Sequence, residues 1–372
     1  MRIIENKKLD FDDVLIQPRR SKLSSRKDVV ITRDFDFPNT NSQLKKCCPL
    51  VAANMDTTGS FYMANTMSKL NAMVCLHKHY KIEQYVEYFK NDLSHSSDFV
   101  FYSTGTSSSD LSRMDKVFEK IKTYRWKQPN ICVDVANGYS EKFVKTLTKI
   151  REKYPNSIIM AGNVVTPEMT EQLIMKAGVD IVKIGIGSGS VCTTRLKTGV
   201  GYPQLSAVIE CAEAAKHSGG YVCSDGGCRT PADVCKALCA GADFVMLGSM
   251  LAGTNECDGE WTYEFLADSG DLKFWQPIDP GYATERRKVS LQFYGMSSKE
   301  AQDKHHDGVA NYRTSEGRCV QIPYKGLAEE IIQDILGGVR SCCTYIGANQ
   351  IQEMPDKTIF IKVNNTHNRI YE

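Results

Sequence analysis

The sequence predicts an α/β fold, a (β/α)8 TIM barrel with an N-terminal arm and a long insertion after its last strand. Three observations carry this reading. Eight short apolar runs recur over roughly 200 residues, the span expected of such a barrel. Most are separated by a segment with apolar residues at helical spacing, and that alternation implies a parallel sheet covered by helices. Polar and glycine residues gather directly after each run, and in a barrel those loops share one face. A doubly wound open sheet is the alternative, and eight even units argue against it.

The first fifty residues read as an arm, with Leu9-Asp10-Phe11-Asp12-Asp13-Val14-Leu15 followed by basic stretches that suit a solvated surface. The rhythm starts at 49–53, a run ending in Asn54-Met55-Asp56, with Phe61, Ala64, Met67 and Leu70 at helical spacing behind it. Run 72–76 ends in His77-Lys78-His79, run 99–102 in Ser103-Thr104-Gly105, and run 131–133 in Asp134-Val135-Ala136. Run 158–160 ends in Ala161-Gly162-Asn163, and the β-branched run Ile181–Ile184 ends in a glycine-rich loop. Run 221–223 ends in Ser224-Asp225-Gly226-Gly227, and Phe244–Leu247 ends in Gly248-Ser249. Helices are expected over Glu141–Lys153, Pro167–Ala177, 203–216 and 231–240, where prolines 167, 203 and 231 suit a first helical turn.

The pattern then breaks. Residues 253–326 are too many for a plain connection, and they predict a hairpin-like excursion plus a lid over the mouth. A last helix over 327–336 and an edge strand over 358–363 close the chain, so that 1–372 forms one catalytic barrel domain with 253–326 as its insertion and lid.

Composition excludes several function classes. Hydrophobic residues make up 42% of the 372, enough for a core, and a net charge of +2 offers nothing to nucleic acid or a membrane surface. No apolar run approaches the roughly 20 residues that span a bilayer, and the N-terminus has no signal-peptide character. Fourteen cysteines without a CxxC pair suggest reduced thiols and a cytosolic protein. Cys75, Cys132, Cys211 and Cys239 fall inside apolar patterns, whereas the pairs Cys47-Cys48 and Cys342-Cys343 read as chance or surface features. His77 and His79 share a strand face but have no evident third ligand, so a metal there is not expected; Lys78 between them suits an anion contact or proton transfer.

The loop after Ile184 is the informative stretch: Gly185-Ile186-Gly187-Ser188-Gly189-Ser190-Val191-Cys192-Thr193-Thr194-Arg195. It is neither a dinucleotide fingerprint nor a P-loop, because position 190 is serine and no Gly-Lys-Ser/Thr follows. Cys192 sits on irregular backbone past a strand end, where a nucleophile and an incidental cysteine are both reasonable. As a thiolate it needs a lowered pKa, and Thr194 could pass protons. The glycines at 226, 227 and 248 follow the seventh and eighth runs, where barrels often bind phosphate through backbone amides; two tight turns are the alternative. Ser190 and Ser249 could add hydroxyls, and Asp225 suits ribose hydroxyls or a helix cap. Asp56, Lys78, Asp134, Asn163, Cys192, Asp225 and Ser249 should converge around one mouth.

The stretch 185–202, with Ala53-Asn54-Met55-Asp56-Thr57, His77-Lys78-His79-Tyr80, 134–140, 160–165, Phe293-Tyr294-Gly295-Met296-Ser297-Ser298 and Tyr312-Arg313-Thr314-Ser315-Glu316-Gly317, resembles the IMP dehydrogenase and GMP reductase family over nearly the whole chain. Lys78 and Glu316, the absence of room for a regulatory insert, and a lid without the dehydrogenase's Arg-Tyr pair place the resemblance nearer its reductase branch. The alternatives are a dehydrogenase lacking its regulatory domains and a barrel that only binds nucleotide. The resemblance implies NADPH-dependent reductive deamination of GMP to IMP with release of ammonia. It makes Cys192 the nucleophile, with Thr194, Glu316 and Lys78 the other catalytic residues. Ser190, Asp225, Gly226, Gly227, Gly248 and Ser249 would hold the ribose phosphate. Gly295, Met296, Ser297, Arg313, Thr314, Ser315, Glu316 and Gly317 would hold the base. Lys78, Asp134, Val135, Ala136, Ile186, Gly187, Tyr312 and Arg313 would line the nicotinamide side. Ser25 and Arg26 of a neighbouring subunit, with Ser341, Cys342, Cys343 and Thr344, would contact the rest of the cofactor. Backbone carbonyls of Gly187, Gly189 and Cys192, with Arg195, would surround a potassium ion, in a homotetramer. Ser188 replaces the family's usual proline, which implies a looser loop, and the segment 255–289 is longer than usual and has no assigned role.

Overall fold

The computed structural model describes residues 3–40, 42–91, 98–124, 128–268, 273–276, 285–305 and 314–364. Eight parallel strands close a barrel: Leu50–Ala52 (β1), Met73–Leu76 (β2), Val100–Thr104 (β3), Asn130–Asp134 (β4), Ile159–Val164 (β5), Ile181–Ile184 (β6), Tyr221–Asp225 (β7) and Phe244–Leu247 (β8). All eight coincide with the expected runs to within a few residues. Side chains alternate along each strand. Val51, Cys75, Phe101, Cys132, Met160, Ile181, Cys223 and Phe244 fill the interior, while Val74, Ile131, Val182, Val222 and Val245 join the outer core beneath the helices.

Those helices form where the apolar spacing predicts them. Glu141–Lys153 and Pro167–Ala177 match the expected bounds, and Ser140 caps the first of them by accepting from the Phe143 amide. Pro231–Cys239 opens on a proline behind a Thr230–Asp233 capping box. Pro203 differs from the expectation: it stands one residue outside the helix Gln204–Ser218, whose first amide is held by Asp10 at 2.5 Å. The last helix is Ala328–Ile346, which runs ten residues beyond the expected end at 336. It continues through Gly337-Gly338, and a Cβ on Gly338 would lie 2.9 Å from the Pro231 Cβ. The glycine is there to let two helices meet.

The N-terminal arm is more ordered than its charges suggest. Val14–Ile16 pairs antiparallel with Phe360–Lys362, the expected tail strand. Arg33–Phe37 and Ser42–Cys47 form an antiparallel pair whose Phe35, Phe37 and Leu44 join the interior barrel cluster. Phe35 stacks on Phe244 with ring centroids 4.3 Å apart, so this pair plugs the N-terminal end of the barrel. Cys47, Cys48 and Cys343 are buried, which removes the surface alternative for them and leaves chance adjacency.

After β8, Trp261–Asp268, Lys273–Gln276, Arg286–Tyr294 and Cys319–Pro323 form a four-stranded antiparallel sheet. The helix Lys299–His305 follows its third strand. The excursion expected within 253–326 is therefore a four-stranded sheet with the helix Lys299–His305 between its last two strands.

Truncating the plug should act on stability alone. Phe35→Ala is expected to cost about 3–5 kcal/mol, as for other buried aromatics, which equilibrium denaturant unfolding would measure.

Candidate active site

The floor of the barrel mouth is ionic. Asp134, Lys183 and Asp225 stand at the C-terminal ends of β4, β6 and β7, each two residues beyond an interior side chain. Lys183 is fully buried; its Nζ pairs with Asp134 and lies 3.1 Å from Asp225 Oδ2. Burial alone would lower the lysine pKa, but the two carboxylates outweigh it and hold it well above its ordinary value. Burial likewise opposes the charge on Asp134, and Lys183, with a hydrogen bond from Asn54, overcomes it so that the carboxyl lies below its usual range. A Cβ on Gly162 would sit 2.5 Å from the Lys183 Cβ, so only glycine leaves room for this lysine.

Asn163 carries the order outward. Its Nδ2 donates to Asp225 Oδ2 at 2.9 Å and to the Gly185 carbonyl at 2.8 Å. At Gly185, φ is +153°, and a Cβ would lie 2.0 Å from the Asp225 carbonyl oxygen. Ser188, expected to loosen the loop, ties it down instead: its Oγ donates to the Asp225 carbonyl at 3.1 Å.

The loop ends at Cys192, which is half-buried and precedes the short helix Thr194–Thr198. Its Sγ is 3.2 Å from Thr194 Oγ1, and that hydroxyl donates to Glu316 Oε2 at 2.7 Å. Thiol, hydroxyl and carboxylate are thus in series, which is a path for a proton away from sulfur. Glu316 comes from the lid, and the backbone fixes it there. Cys192 and Gly317 form an antiparallel bridge, the Thr193 amide donates to the Glu316 carbonyl at 2.9 Å, and the Arg318 amide donates to Val191 at 2.9 Å.

Two adjoining cavities open over this floor. The larger, about 250 Å³, is lined by Cys192, Thr194 and Glu316 together with the glycines 226, 227 and 248. Ser190, Asp225, Ser249, Gly295, Met296 and Ser297 line it too, as do Ile186, Gly187 and Gly189. The smaller, about 180 Å³, is lined by Lys78, His79, Ser103, Thr104, Ala301 and His305. The cavities share Asn54, Asp134, Val135, Ala136, Met296 and Ser297. Lys78 pairs there with Asp110 at 3.0 Å.

Not every expected residue is at the mouth. Asp56 lines neither cavity and is buried beneath the lid, where Tyr294 and His305 hold it. Thr314, Ser315 and Gly317 adjoin the relay without lining a cavity, and Tyr312 and Arg313 lie outside the described residues. Ser25 and Arg26 border the helix Ala328–Ile346, whose Arg340 donates to Val29 at 2.5 Å. They and Ser341, Cys342, Cys343 and Thr344 line neither cavity. The Arg195 side chain lies against Gly187 and Gly201 and bonds Asp10 at 3.1 Å. Among the described residues no group of three or more His, Cys, Asp or Glu is placed to hold a metal. Sequence reasoning missed Lys183 and Asn54. A lysine inside a buried β-branched strand was the available signal for the first, because a buried ammonium requires partners.

Residues 8–369 match the model of the IMP dehydrogenase / GMP reductase domain. The chain belongs to the IMP dehydrogenase / GMP reductase family. Among curated relatives, the GMP reductases of Aeromonas salmonicida (strain A449) and Aeromonas hydrophila subsp. hydrophila are each 50% identical over 371 residues. The GMP reductase of Yersinia pestis (strain Pestoides F) is 47% identical over the same length, and in all three cases 100% of this chain and 99% of the relative are covered. The family assignment agrees with the resemblance carried by the cysteine loop and the lid.

Two histidines after β2 carry a pH dependence. Burial holds His77 neutral, with its pKa lowered to about 4, and burial lowers His79 to about 3, from an ordinary 6.5. Unfolding frees both to bind protons, so their contribution to stability is complete above pH 6.5 and is lost as the pH falls towards 4. For His77 the loss reaches at most roughly 3 kcal/mol at about 1.4 kcal/mol per pKa unit. Denaturation midpoints measured between pH 7 and pH 4 should fall, and His77→Gln should flatten that fall.

Proposed function

We propose that this chain catalyses the NADPH-dependent reductive deamination of GMP to IMP, with release of ammonia, through a covalent intermediate on Cys192. The observation that carries the reading is that the Cys192–Thr194–Glu316 series lines one cavity together with glycines 226, 227 and 248. The names of the relatives agree with it.

The nucleotide phosphate suits the glycine rim, where amides of Gly226, Gly227 and Gly248 can approach closely and Ser190 and Ser249 add hydroxyls. Asp225 is placed for the ribose hydroxyls. Met296, Ser297 and Glu316 face the base. The Cys192 thiolate adds to C2 of the guanine, its proton having passed through Thr194 to Glu316. The relay then returns a proton to the departing amine, the C2–N bond breaks, and ammonia leaves. A thioimidate on Cys192 remains. A reduced nicotinamide, when bound, supplies hydride to C2. The C–S bond then breaks, thiolate returns to Cys192, and IMP is free. Splitting the substitution in two replaces one difficult step by two easier ones.

The second cavity suits the nicotinamide, because it adjoins the first along Asp134, Val135 and Ala136 and carries Lys78 as a cationic contact. Ile186 and Gly187, on the wall of the first cavity, extend this nicotinamide side. We assign Ser25, Arg26 and Ser341–Thr344, which lie beyond both cavities, to the far end of the cofactor of a neighbouring subunit in a homotetramer. Tyr312, Arg313, Thr314, Ser315 and Gly317 belong in this reading to the closing lid. The chain acts as a single catalytic unit, 1–372, with 253–326 as insertion and lid. Backbone carbonyls of Gly187, Gly189 and Cys192 form a neutral, hard-oxygen donor set that suits potassium, which would hold the cysteine loop in shape; Arg195 can contribute only its carbonyl, since its guanidinium is cationic. All fourteen cysteines are free, which agrees with a cytosolic setting. No helix among the described residues is long and apolar enough to cross a membrane.

GMP should drive loss of NADPH absorbance, and IMP with NAD should give no NADH; turnover in the second assay would identify a dehydrogenase instead. Cys192→Ala should keep GMP binding but lose reduction and the nucleotide adduct visible by intact mass in the wild-type protein. Glu316→Gln should slow turnover about 10²–10⁴-fold, as loss of a proton-transfer group does, with GMP affinity little changed.

A further inference from the structure

One polar cluster is left over by the reaction described above. It lies where the lid helix Lys299–His305 meets the loops after β1 and β2. His305 Nε2 is 2.7 Å from Asp56 Oδ2, and the Tyr294 hydroxyl donates to the same oxygen at 2.7 Å. Lys304 Nζ donates to that hydroxyl at 3.0 Å and lies 3.4 Å from Asp56 Oδ2. The His305 ring stacks on His79, with centroids 3.5 Å apart and planes 11° from parallel. Asp56 is 4% exposed, so its charge has almost no water and depends on these lid groups. One barrel carboxylate thus gathers three lid side chains.

We propose that Asp56, His79 and His305 form a clasp that positions the lid helix over the second cavity and thereby decides whether the covalent intermediate is reduced or hydrolysed. The clasp is in line with the chemistry. Ala301 and His305 form part of the second cavity's wall, and Met296 and Ser297, just before the helix, border both cavities. The Ser297 carbonyl accepts from the Glu316 amide at 3.1 Å, so the start of the lid helix is joined to the proton relay at Thr194 and Cys192. With the clasp made, the cofactor site is roofed and the thioimidate is shielded. With it broken, water can add to C2; the C2–S bond then breaks, thiolate leaves, and XMP forms. That branch converts GMP and water to XMP and ammonia with no change in oxidation state of the cofactor.

The inference rests on the reaction proposed above, and the test separates the two. His305→Ala removes the clasp from the lid side at a helix end, where folding is least at risk; Asp56→Asn removes its charge from the barrel side. In His305→Ala, KM for NADPH should rise about tenfold, the effect of losing one charge-assisted hydrogen bond. KM for GMP should stay within about twofold, XMP should accompany IMP among the products, and amide hydrogen exchange over 299–305 should quicken. His305→Gln, which can still donate to Asp56, should recover part of the cofactor affinity. If wild-type protein makes no IMP from GMP, the proposed reaction fails, and the exchange experiment still reports on the clasp. If wild type makes IMP while His305→Ala keeps its cofactor KM, forms no XMP and shows unchanged exchange over 299–305, the clasp is overturned.

Discussion

The ammonium of Lys183 inside the barrel is the constraint that the mouth is built around. A buried charge is costly unless it is paired and hydrogen-bonded. Here the pairing draws on three strands: Lys183 from β6 lies between Asp134 of β4 and Asp225 of β7. The strand between β4 and β6 must then give way, and it does so with Gly162, whose missing Cβ is the space the lysine stem occupies. The next residue, Asn163, uses that closeness to bond both Asp225 and the Gly185 carbonyl. One buried cation therefore sets the relative positions of four strand ends, and the cysteine loop starts from one of them.

The site has a rigid half and an attached half. Floor and glycine rim belong to the barrel, where ion pairs and close backbone packing permit little rearrangement. Cys192 belongs to a loop whose two ends are held differently. Its start is tied to β7 through Ser188, and its end is bridged to Gly317 in the lid. The position of the sulfur is consequently a joint property of barrel and lid. A sulfur held this way keeps its place only while that bridge is in register, so its alignment depends on backbone more than a hundred residues away in the chain.

Much of this architecture was legible in the sequence because the signals are local. Apolar runs of three to five residues, amphipathic helices and prolines at helix starts each report on their own neighbourhood, and β6 through β8 were read nearly to the residue. What the sequence hid depends on distant partners. Arg33-Asp34-Phe35-Asp36-Phe37 alternates charge with aromatic rings, so it reads as a solvated arm until the open end of a barrel takes up the rings. The last helix was expected to end at 336, but it continues through Gly337-Gly338, where Gly338 meets a helix about a hundred residues away in sequence. Asp56 was expected at the mouth as a polar strand-end residue, but its partners arrive from the lid, nearly two hundred and fifty residues later. The series Cys192, Thr194 and Glu316 is divided in the same way: the first two are neighbours in sequence, while the third enters only through the family resemblance.

The same distinction explains why the loop tolerates serine at position 188. A proline there would stiffen the backbone by restricting φ. Serine keeps φ free but gains a donor, and that donor reaches the carbonyl of Asp225, a residue already fixed by Lys183 and Asn163. A hydrogen bond to a rigid partner restricts a loop, whereas one to a mobile partner only moves with it. The substitution thus exchanges a local restraint for a tertiary one. Its strength derives from the buried ion pair below, so a change that disturbs Lys183 should loosen the cysteine loop together with the strand ends that the pair holds.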